Sequence, residues 1–221
     1  MSVFRNLLLN KREPDFYILD YIKGTGIKTD YIDTGVNPSN TDMTKSNITV
    51  ILSDDTVQNY ENYLGANQRM LRERTFNNLM FTVDGTRSKI IPNVLPFDKT
   101  IIKWNTYESK ITVNNNDFPF DNTSGIAWTG SDDIDLLCGL YSGNPDNGTD
   151  AKLHYCKFEI ENVKIREFVP IEKNGVVQMY DNINKRFYTN HGSGIFGKGE
   201  VIGYGYNGEL FLNDGTPYVG I

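Results

Sequence analysis

The sequence predicts an all-β fold, a sandwich of two antiparallel sheets, and three observations support this prediction. Short runs rich in β-branched and aromatic residues recur along the chain, separated by groups of Gly, Asn, Asp and Pro that are typical of tight turns. The 13 Tyr and 12 Phe greatly outnumber the 5 Met, and such rings suit half-buried pleated surfaces. A chain of 221 residues, 38% of them hydrophobic, is also long enough to bury a sizeable core in one domain.

The predicted strands follow one another from residue 16 onward. They cover residues 16–22, 31–35, 47–52, 78–83, 100–104, 110–113, 135–141, 152–160, 163–169, 176–181 and 186–189. A change in the apolar phase after Ile160 predicts a two-residue turn near Glu161 and Asn162, which would make residues 152–169 a hairpin. Residues 58–74 fit the periods of a helix and of a strand equally well, so their structure stays open.

Three regions are expected along the chain. Residues 1–14 form a leader in which apolar residues recur at helical spacing until Pro14 ends any helix; these residues are Val3, Phe4, Leu7, Leu8 and Leu9. So short a helix needs a surface to lie on, either the sandwich of its own chain or a partner protein. Residues 15–199 form the sandwich. Residues 200–221 are a Gly- and Tyr-rich C-terminal appendage that ends in a β-hairpin.

The overall charge and the cysteines limit the classes of function. A net charge of −6 without a run of Lys or Arg argues against a nucleic-acid partner. No stretch is apolar enough to span a bilayer, and the leader lacks the core and cleavage site of a signal peptide. Cys138 and Cys156 match no metal-binding spacing. A disulfide between them is an alternative, but two small buried strand residues are the favoured reading.

Catalytic residues are not predicted. The two histidines, His154 and His191, have no serine in a G-x-S-x-G turn to activate. Glu159 and Glu161 are two positions apart and would share one sheet face, as a glycosidase carboxylate pair can, only if the strand continued past Ile160. The predicted turn instead moves Glu161 to the hairpin tip. The sequence therefore favours a protein that is not an enzyme.

Calcium is the metal ion to consider for this sequence, because several stretches are rich in side-chain oxygen atoms that could bind it. These stretches are residues 114–117, Asp132 with Asp133 and Asp135, and residues 144–150. The spacing of an EF-hand is absent, and Asn and Asp are also the usual residues of tight turns. No cofactor is predicted, and calcium is not favoured.

Two parts of the sequence resemble a known family. The first is the series Leu153-His-Tyr-Cys-Lys-Phe-Glu-Ile160, Lys164-Ile-Arg-Glu-Phe-Val-Pro170, Gly175-Val-Val-Gln-Met-Tyr-Asp181 and Phe187-Tyr-Thr-Asn-His-Gly-Ser-Gly-Ile-Phe196. The second is Tyr21-Ile-Lys-Gly-Thr-Gly26 with Asp30-Tyr-Ile-Asp-Thr-Gly35. Both resemble the laminin-G/concanavalin A-like domains of phage and prophage proteins of gut bacteria. Residues 27–30 and 177–179 depart from the family pattern, which blurs any expectation of a sugar cleft.

The resemblance implies a concanavalin A-like jelly-roll sandwich with a non-catalytic role. Our first hypothesis is a structural protein of a tailed-phage virion, made in the bacterial cytoplasm, as a capsid decoration, head-fibre or tail-fibre component. The leader would dock it to other virion proteins in a homo- or hetero-oligomeric assembly. The second hypothesis is a carbohydrate-binding module that attaches to host or gut glycans. Its candidate glycan-binding rings are Trp104, Tyr107, Trp128 and Tyr141, although most of them are expected in the core. A glycoside hydrolase or lyase is the least favoured.

Overall fold

The computed structural model describes residues 13–55, 61–66, 69–74, 78–82, 88–94, 96–120, 130–141 and 144–220. Within these ranges the chain is almost entirely β-structure, with one short 3-10 helix at Met43–Lys45. The strands are, in chain order, β1 Phe16–Leu19, β2 Ile22–Lys23, β3 Ile32–Asp33, β4 Ser46–Asp54, β5 Asn62–Ala66, β6 Arg69–Arg74, β7 Asn78–Thr82, β8 Ser88–Ile91, β9 Phe97–Asn105, β10 Lys110–Val113, β11 Asn116–Pro119, β12 Asp135–Leu136, β13 Gly139–Tyr141, β14 Asn144–Asp146, β15 Lys152–Ile160, β16 Val163–Lys173, β17 Val176–Asp181, β18 Arg186–Tyr188, β19 Gly197–Lys198, β20 Val201–Tyr206 and β21 Glu209–Leu212.

These strands form two main antiparallel sheets, and strands β13 and β14 form a separate hairpin. The large sheet has the order β11-β10-β9-β4-β15-β16-β1-β20-β21, with β17 and β18 beside β16 and with β2 and β19 beside β15. The smaller sheet has the order β3-β12-β5-β6-β7-β8. The all-β sandwich of two antiparallel sheets, consistent with a jelly roll, is confirmed.

The main core lies between the two sheets. Alternate residues of the large sheet point inward, and those of β4 are Ile48, Val50 and Leu52. They join buried residues of the smaller sheet such as Leu64 and Leu79 in one hydrophobic cluster. The rings of Phe81 on β7 and Trp104 on β9 meet edge to face across the sandwich, with centroids 5.6 Å apart. This interdigitation joins the sheets into one domain.

The C-terminal hairpin extends the large sheet. Strand β20 pairs with β1, and β21 pairs with β20, so residues 201–212 are joined to the sheet by backbone hydrogen bonds. A second hydrophobic cluster lies here and contains Phe16, Ile18, Val169, Ile171, Tyr180 and Leu210, with Tyr218 packed against it. The segment predicted as an appendage thus shares both backbone pairing and apolar contacts with the sandwich.

The segment that the sequence left open between helix and strand forms strands. Strands β5 and β6 pair antiparallel, and Leu64 lies opposite Leu71. Both leucines are buried in the main core. Packing against the large sheet therefore decides a conformation for which the local pattern had no preference.

The two-residue turn predicted after Ile160 is confirmed. Ile160 pairs with Val163, and the φ angles of Glu161 and Asn162 are 50° and 67°. Two successive positive φ angles are those of the type I′ turn that suits the twist of a hairpin. Glu161 therefore stands at the tip of the hairpin, and Glu159 stays in the strand.

The cysteines do not form a disulfide. Cys138 and Cys156 are both buried, and their sulfur atoms are not joined to each other. Cys156 lies on β15, whereas Cys138 lies between β12 and β13. The favoured prediction of two small buried strand residues is confirmed for Cys156, whereas Cys138 is buried but lies outside the strands.

The predicted docking residues Val3, Phe4, Leu7, Leu8 and Leu9 lie outside the described residues. In the part of the chain that the structure describes, no helix has the length and apolar character needed to cross a membrane.

The two family-like parts of the sequence meet at one buried carboxylate. Asp30, 2% exposed, accepts hydrogen bonds from the Thr25 hydroxyl at 2.7 Å, from the Asn190 side chain at 3.0 Å and from the Gly194 backbone at 2.9 Å. A Cβ atom added to Gly194 would lie 1.9 Å from this carboxylate, so the motif requires glycine there. Burial raises the pKa of Asp30, but these hydrogen bonds outweigh it and hold the pKa below its ordinary value.

We expect Asp30→Ala to lower the free energy of unfolding by about 2 kcal/mol, because the part-buried Gly194 N–H and Asn190 amide both lose this acceptor. Asp30→Asn should cost less, since its amide oxygen can still accept the bond from Gly194 and its amide group can donate to Thr25. Urea denaturation at neutral pH measures both effects. Since the Asp30 pKa is lowered in the folded state, the difference between wild type and Asp30→Asn should shrink as the pH falls below about 4. Equal losses in the two variants would contradict this account of Asp30.

Candidate functional site

A polar cleft lies at one end of the large sheet, where β4 begins and β9 and β15 end. Its volume is about 420 Å³, within the range typical of ligand sites. The described residues that line it are Lys45, Ser46, Asn47, Asn105, Tyr107, Glu108, Glu161 and Asn162. They come from three separate segments: the start of β4, the β9–β10 turn and the β15–β16 turn.

Strand pairing brings these segments together. Asn47 on β4 lies opposite Asn105 on β9, and Ser46 lies opposite Ile160 on β15. The backbone N–H of Glu161 donates to the carbonyl of Lys45 at 3.1 Å, which joins the hairpin tip to the segment before β4. Both walls of the cleft therefore rest on the centre of the sheet.

A buried threonine fixes the β9–β10 turn. The Thr106 hydroxyl donates to the Met43 carbonyl at 2.7 Å and accepts from the Ser46 backbone N–H at 2.9 Å. The Asn105 side-chain oxygen accepts from the Glu108 backbone N–H at 2.8 Å, as asparagine commonly does at turns. With Thr106 held inward, the next residue, Tyr107, lies on the outside.

Among the described residues that line the cleft, Tyr107 is the aromatic one. Its side chain is 76% exposed, the largest exposure of any described aromatic residue. An exposed ring next to amides and carboxylates offers a flat apolar face together with hydrogen-bonding groups. Such a combination can bind a small polar molecule that has one apolar face.

Of the other three rings predicted to bind glycans, the structure describes the side chain of Trp104. The prediction that Trp104 binds a glycan is wrong. Its side chain is 2% exposed and packs in the main core, because Trp104 and Ile102 both lie on the inward face of β9. Trp128 lies outside the described residues, and so does the side chain of Tyr141, of which only the backbone in β13 is described. Tyr107 is the predicted residue that the structure places in a cleft.

Charged groups on the cleft are paired. The Lys45 ammonium forms an ion pair with the Glu161 carboxylate, and this hydrogen bond raises the pKa of Lys45. The Glu108 carboxylate lies 2.5 Å from the Lys110 ammonium, which also contacts Asp117 at 2.8 Å. The side chains concerned are exposed, so these pairs contribute little to stability and mainly set the local charge.

Glu159 does not act with Glu161. Its carboxylate lies 3.1 Å from the Lys157 ammonium and 3.3 Å from the Asn47 amide, on the strand, whereas Glu161 contacts Lys45 at the hairpin tip. The two carboxylates therefore have different partners and do not face each other across a cleft, as the predicted turn implied.

The structure does bring a serine to one histidine, which the sequence did not predict. Ser53 Oγ lies 2.8 Å from His154 Nε2, although the two residues are 101 positions apart. Ser53 is fully buried and also contacts the Asp98 carboxylate and the Lys99 backbone N–H, each at 2.8 Å. A nucleophile must reach its substrate, and this hydroxyl is enclosed by partners. The contact is therefore a buried link between β4, β9 and β15. Burial lowers the pKa of His154.

The second histidine belongs to a turn. The His191 ring stacks on the Tyr31 ring with centroids 4.7 Å apart, and the backbone N–H of His191 donates to the backbone carbonyl of Tyr31 at 2.9 Å. It thus helps to hold the loop that contacts Asp30.

One group of carboxylates has oxygens close enough to share a cation. Oxygens of Asp54, Glu61 and Asp150 lie within 4.8 Å of one another. Asp150 belongs to the oxygen-rich stretch 144–150, but Asp54 and Glu61 were not predicted. Burial raises the pKa of Glu61 to about 7, and the negative charges of Asp54 and Asp150 add to this effect. A hydrogen bond from Thr149 acts in the opposite direction and lowers the pKa. A proton on Glu61 relieves the repulsion without a metal.

The remaining oxygen-rich stretches have other roles. In residues 114–117, Asn114 accepts from the Ile101 N–H at 3.0 Å, and Asp117 accepts from Lys110 and Thr112. In the Asp132–Asp135 stretch, Asp135 is 1% exposed, and its Oδ2 has no hydrogen-bond partner among the described residues. Burial, together with the charges of Asp33, Asp133 and Asp132, raises the pKa of Asp135 to about 8.

No protein-family model and no curated protein matches the sequence. Two solved structures are similar in shape. One is the carbohydrate-binding module CBM40 of the Ruminococcus gnavus IT-sialidase, with a TM-score of 0.44 and 11% identity over 62% of this chain and 91% of that one. The other is the same module bound to α2,3-sialyllactose, with a TM-score of 0.36 and 13% identity over 59% of this chain and 88% of that one.

We expect Asp135→Asn to stabilise the protein above pH 8. An unfolded aspartate ionises near pH 4, but Asp135 in the folded protein ionises only near pH 8, so the stability of the wild type falls as the pH rises between these values. The amide carries no charge, and the gain should reach on the order of 2 kcal/mol at pH 9 and nearly vanish at pH 4. Thermal unfolding across this pH range measures the gain. Asp132→Asn, at a neighbouring and more exposed position, is the control and should show a much smaller pH dependence. A gain from Asp135→Asn that did not change with pH would contradict the assignment.

Proposed function

We propose that the protein is a non-enzymatic carbohydrate-binding module and that the cleft around Tyr107 binds the glycan. The observation that carries this proposal is the 76% exposed ring of Tyr107 among the polar side chains of three segments. A buried threonine and strand pairing hold the backbone of the turn that carries this ring, so the turn loses little conformational entropy when a ligand binds.

The chemistry of the cleft suits a sugar. A pyranose has a face of C–H groups that packs on an aromatic ring, and it has hydroxyls along its edge that need hydrogen-bond partners. Tyr107 supplies the ring. Asn105 and Asn162 supply amides, and Glu108 and Glu161 supply carboxylates that accept from hydroxyl groups.

The same carboxylates favour binding over hydrolysis. The general acid of a glycosidase is kept protonated by an apolar or like-charged environment, and it faces a second carboxylate across the scissile bond. Glu108 and Glu161 are instead exposed, and each has an ammonium partner. Neither carboxylate has the apolar or like-charged surroundings of a glycosidase general acid, and both are placed to accept hydrogen bonds.

We further propose that such a module is displayed on a phage particle, with the leader of residues 1–14 as its docking segment. This proposal rests on the family resemblance and on the apolar leader residues. An apolar leader exposed to water gains about 25 cal/mol for each Å² that a partner covers. Glycan binding and virion display are compatible, because a virion protein can also bind a surface glycan.

We expect Tyr107→Ala to weaken glycan binding at least tenfold, about 1.4 kcal/mol, because it removes the stacking surface. Tyr107→Phe should keep most of the affinity. A glycan array, with and without calcium, followed by calorimetry on the best ligand measures both. Tyr17→Ala removes a 43% exposed ring on β1 and is the matched control that should bind like the wild type. If Tyr107→Ala binds glycans as the wild type does, the ligand lies elsewhere.

We expect deletion of residues 1–12 to leave the sandwich folded and to abolish incorporation into particles. The described strands begin at Phe16, so the deletion removes none of them. Circular dichroism reports the fold, and co-sedimentation with phage particles reports incorporation. Incorporation of the truncated protein would exclude the leader as the docking segment.

A further inference from the structure

The charges around Tyr107 indicate which glycans the cleft accepts. Of the described residues that line it, Lys45 is the sole cation, and Glu108 and Glu161 are anions. The carboxylate of an acidic sugar is bound most strongly by a positively charged donor that is available to it. Lys45 is already paired with Glu161, which offsets its positive charge and takes one of its three N–H donors.

The other carboxylate adds to this effect. Glu108 forms an ion pair with Lys110, but Lys110 also pairs with Asp117. Two carboxylates therefore share one ammonium group. The Lys45–Glu161 pair and the group of Glu108, Lys110 and Asp117 together have two basic and three acidic side chains. An approaching anion therefore meets net repulsion at the edge of the cleft, which adds to the overall charge of −6.

What the cleft offers is suited to hydroxyl groups. Its carboxylates accept hydrogen bonds, and the amides of Asn105 and Asn162 both donate and accept. An uncharged sugar uses all these groups without displacing an ion pair.

We infer that the cleft selects uncharged glycans and discriminates against sialylated and other acidic glycans, and that the Lys45–Glu161 ion pair sets this selectivity. The inference rests on the proposed glycan-binding function and specifies its ligand class. The hairpin turn between β15 and β16 thus determines the charge preference of the cleft, since it places Glu161 next to Lys45.

The test compares matched glycans on one array, with lactose and N-acetyllactosamine printed beside their α2,3-sialylated forms. The full-length wild type should bind the neutral member of each pair more strongly, and high salt should narrow the difference because it screens exposed charges. Glu161→Gln frees Lys45 and should raise the ratio of sialylated to neutral binding roughly fivefold. Lys45→Gln should lower that ratio.

Glu172→Gln is the matched control, because Glu172 is also a glutamate paired with an exposed lysine, Lys198, at 2.6 Å, but it lies on β16 outside the cleft. It should leave the ratio unchanged. Thermal unfolding of each variant verifies the fold. Sialylated glycans bound as strongly as neutral ones by the wild type, or a ratio unmoved by Glu161→Gln, would overturn the selectivity and leave glycan binding intact. Failure to bind any glycan on the array would overturn the proposed function itself.

Discussion

The pairing of β4 with β9 on one side and with β15 on the other is the constraint on which the rest of the structure depends. It aligns the start of β4 with the ends of its neighbours, so that the β9–β10 turn and the β15–β16 turn flank the same point. A slip of one residue in either pairing would exchange the two faces of a strand and remove the inward side chains from the core. The geometry of the cleft and the packing of the sandwich therefore depend on the same register.

Buried polar groups join the loops to this frame, and they do so because most of them are satisfied. Asp30 accepts from Thr25 of its own loop before β3 and joins this loop to the loop after β18 through two donors, Asn190 and Gly194. Ser53 and His154 connect strands β4 and β15. Glu61 and Asp135 differ, since burial among other carboxylates favours a proton over a charge. The protein thus stores little uncompensated charge inside, and its unbalanced charges lie at the surface, where solvent screens them.

Much of the fold could be predicted because it follows short-range rules. The alternation of apolar residues located most strands, and the phase change after Ile160 located the hairpin tip. The same alternation could have assigned Trp104 to the core, since it shares a face with Ile102, and the turn residues around Tyr107 could have placed that ring outside. Residues 58–74 could not be assigned, because their pattern has no preference until Leu64 and Leu71 pack against the opposite sheet.

The sequence by itself determined where most strands and turns form, that the protein is all-β, and that Glu161 leaves the face of Glu159. Only the tertiary structure decided which segments form a cleft. Lys45, Tyr107 and Glu161 are separated by more than fifty positions along the chain, and their proximity follows from the order of β9, β4 and β15 in the sheet. Strand order depends on how two whole sheets bury their apolar faces together. That choice involves the entire core, and no local pattern contains it.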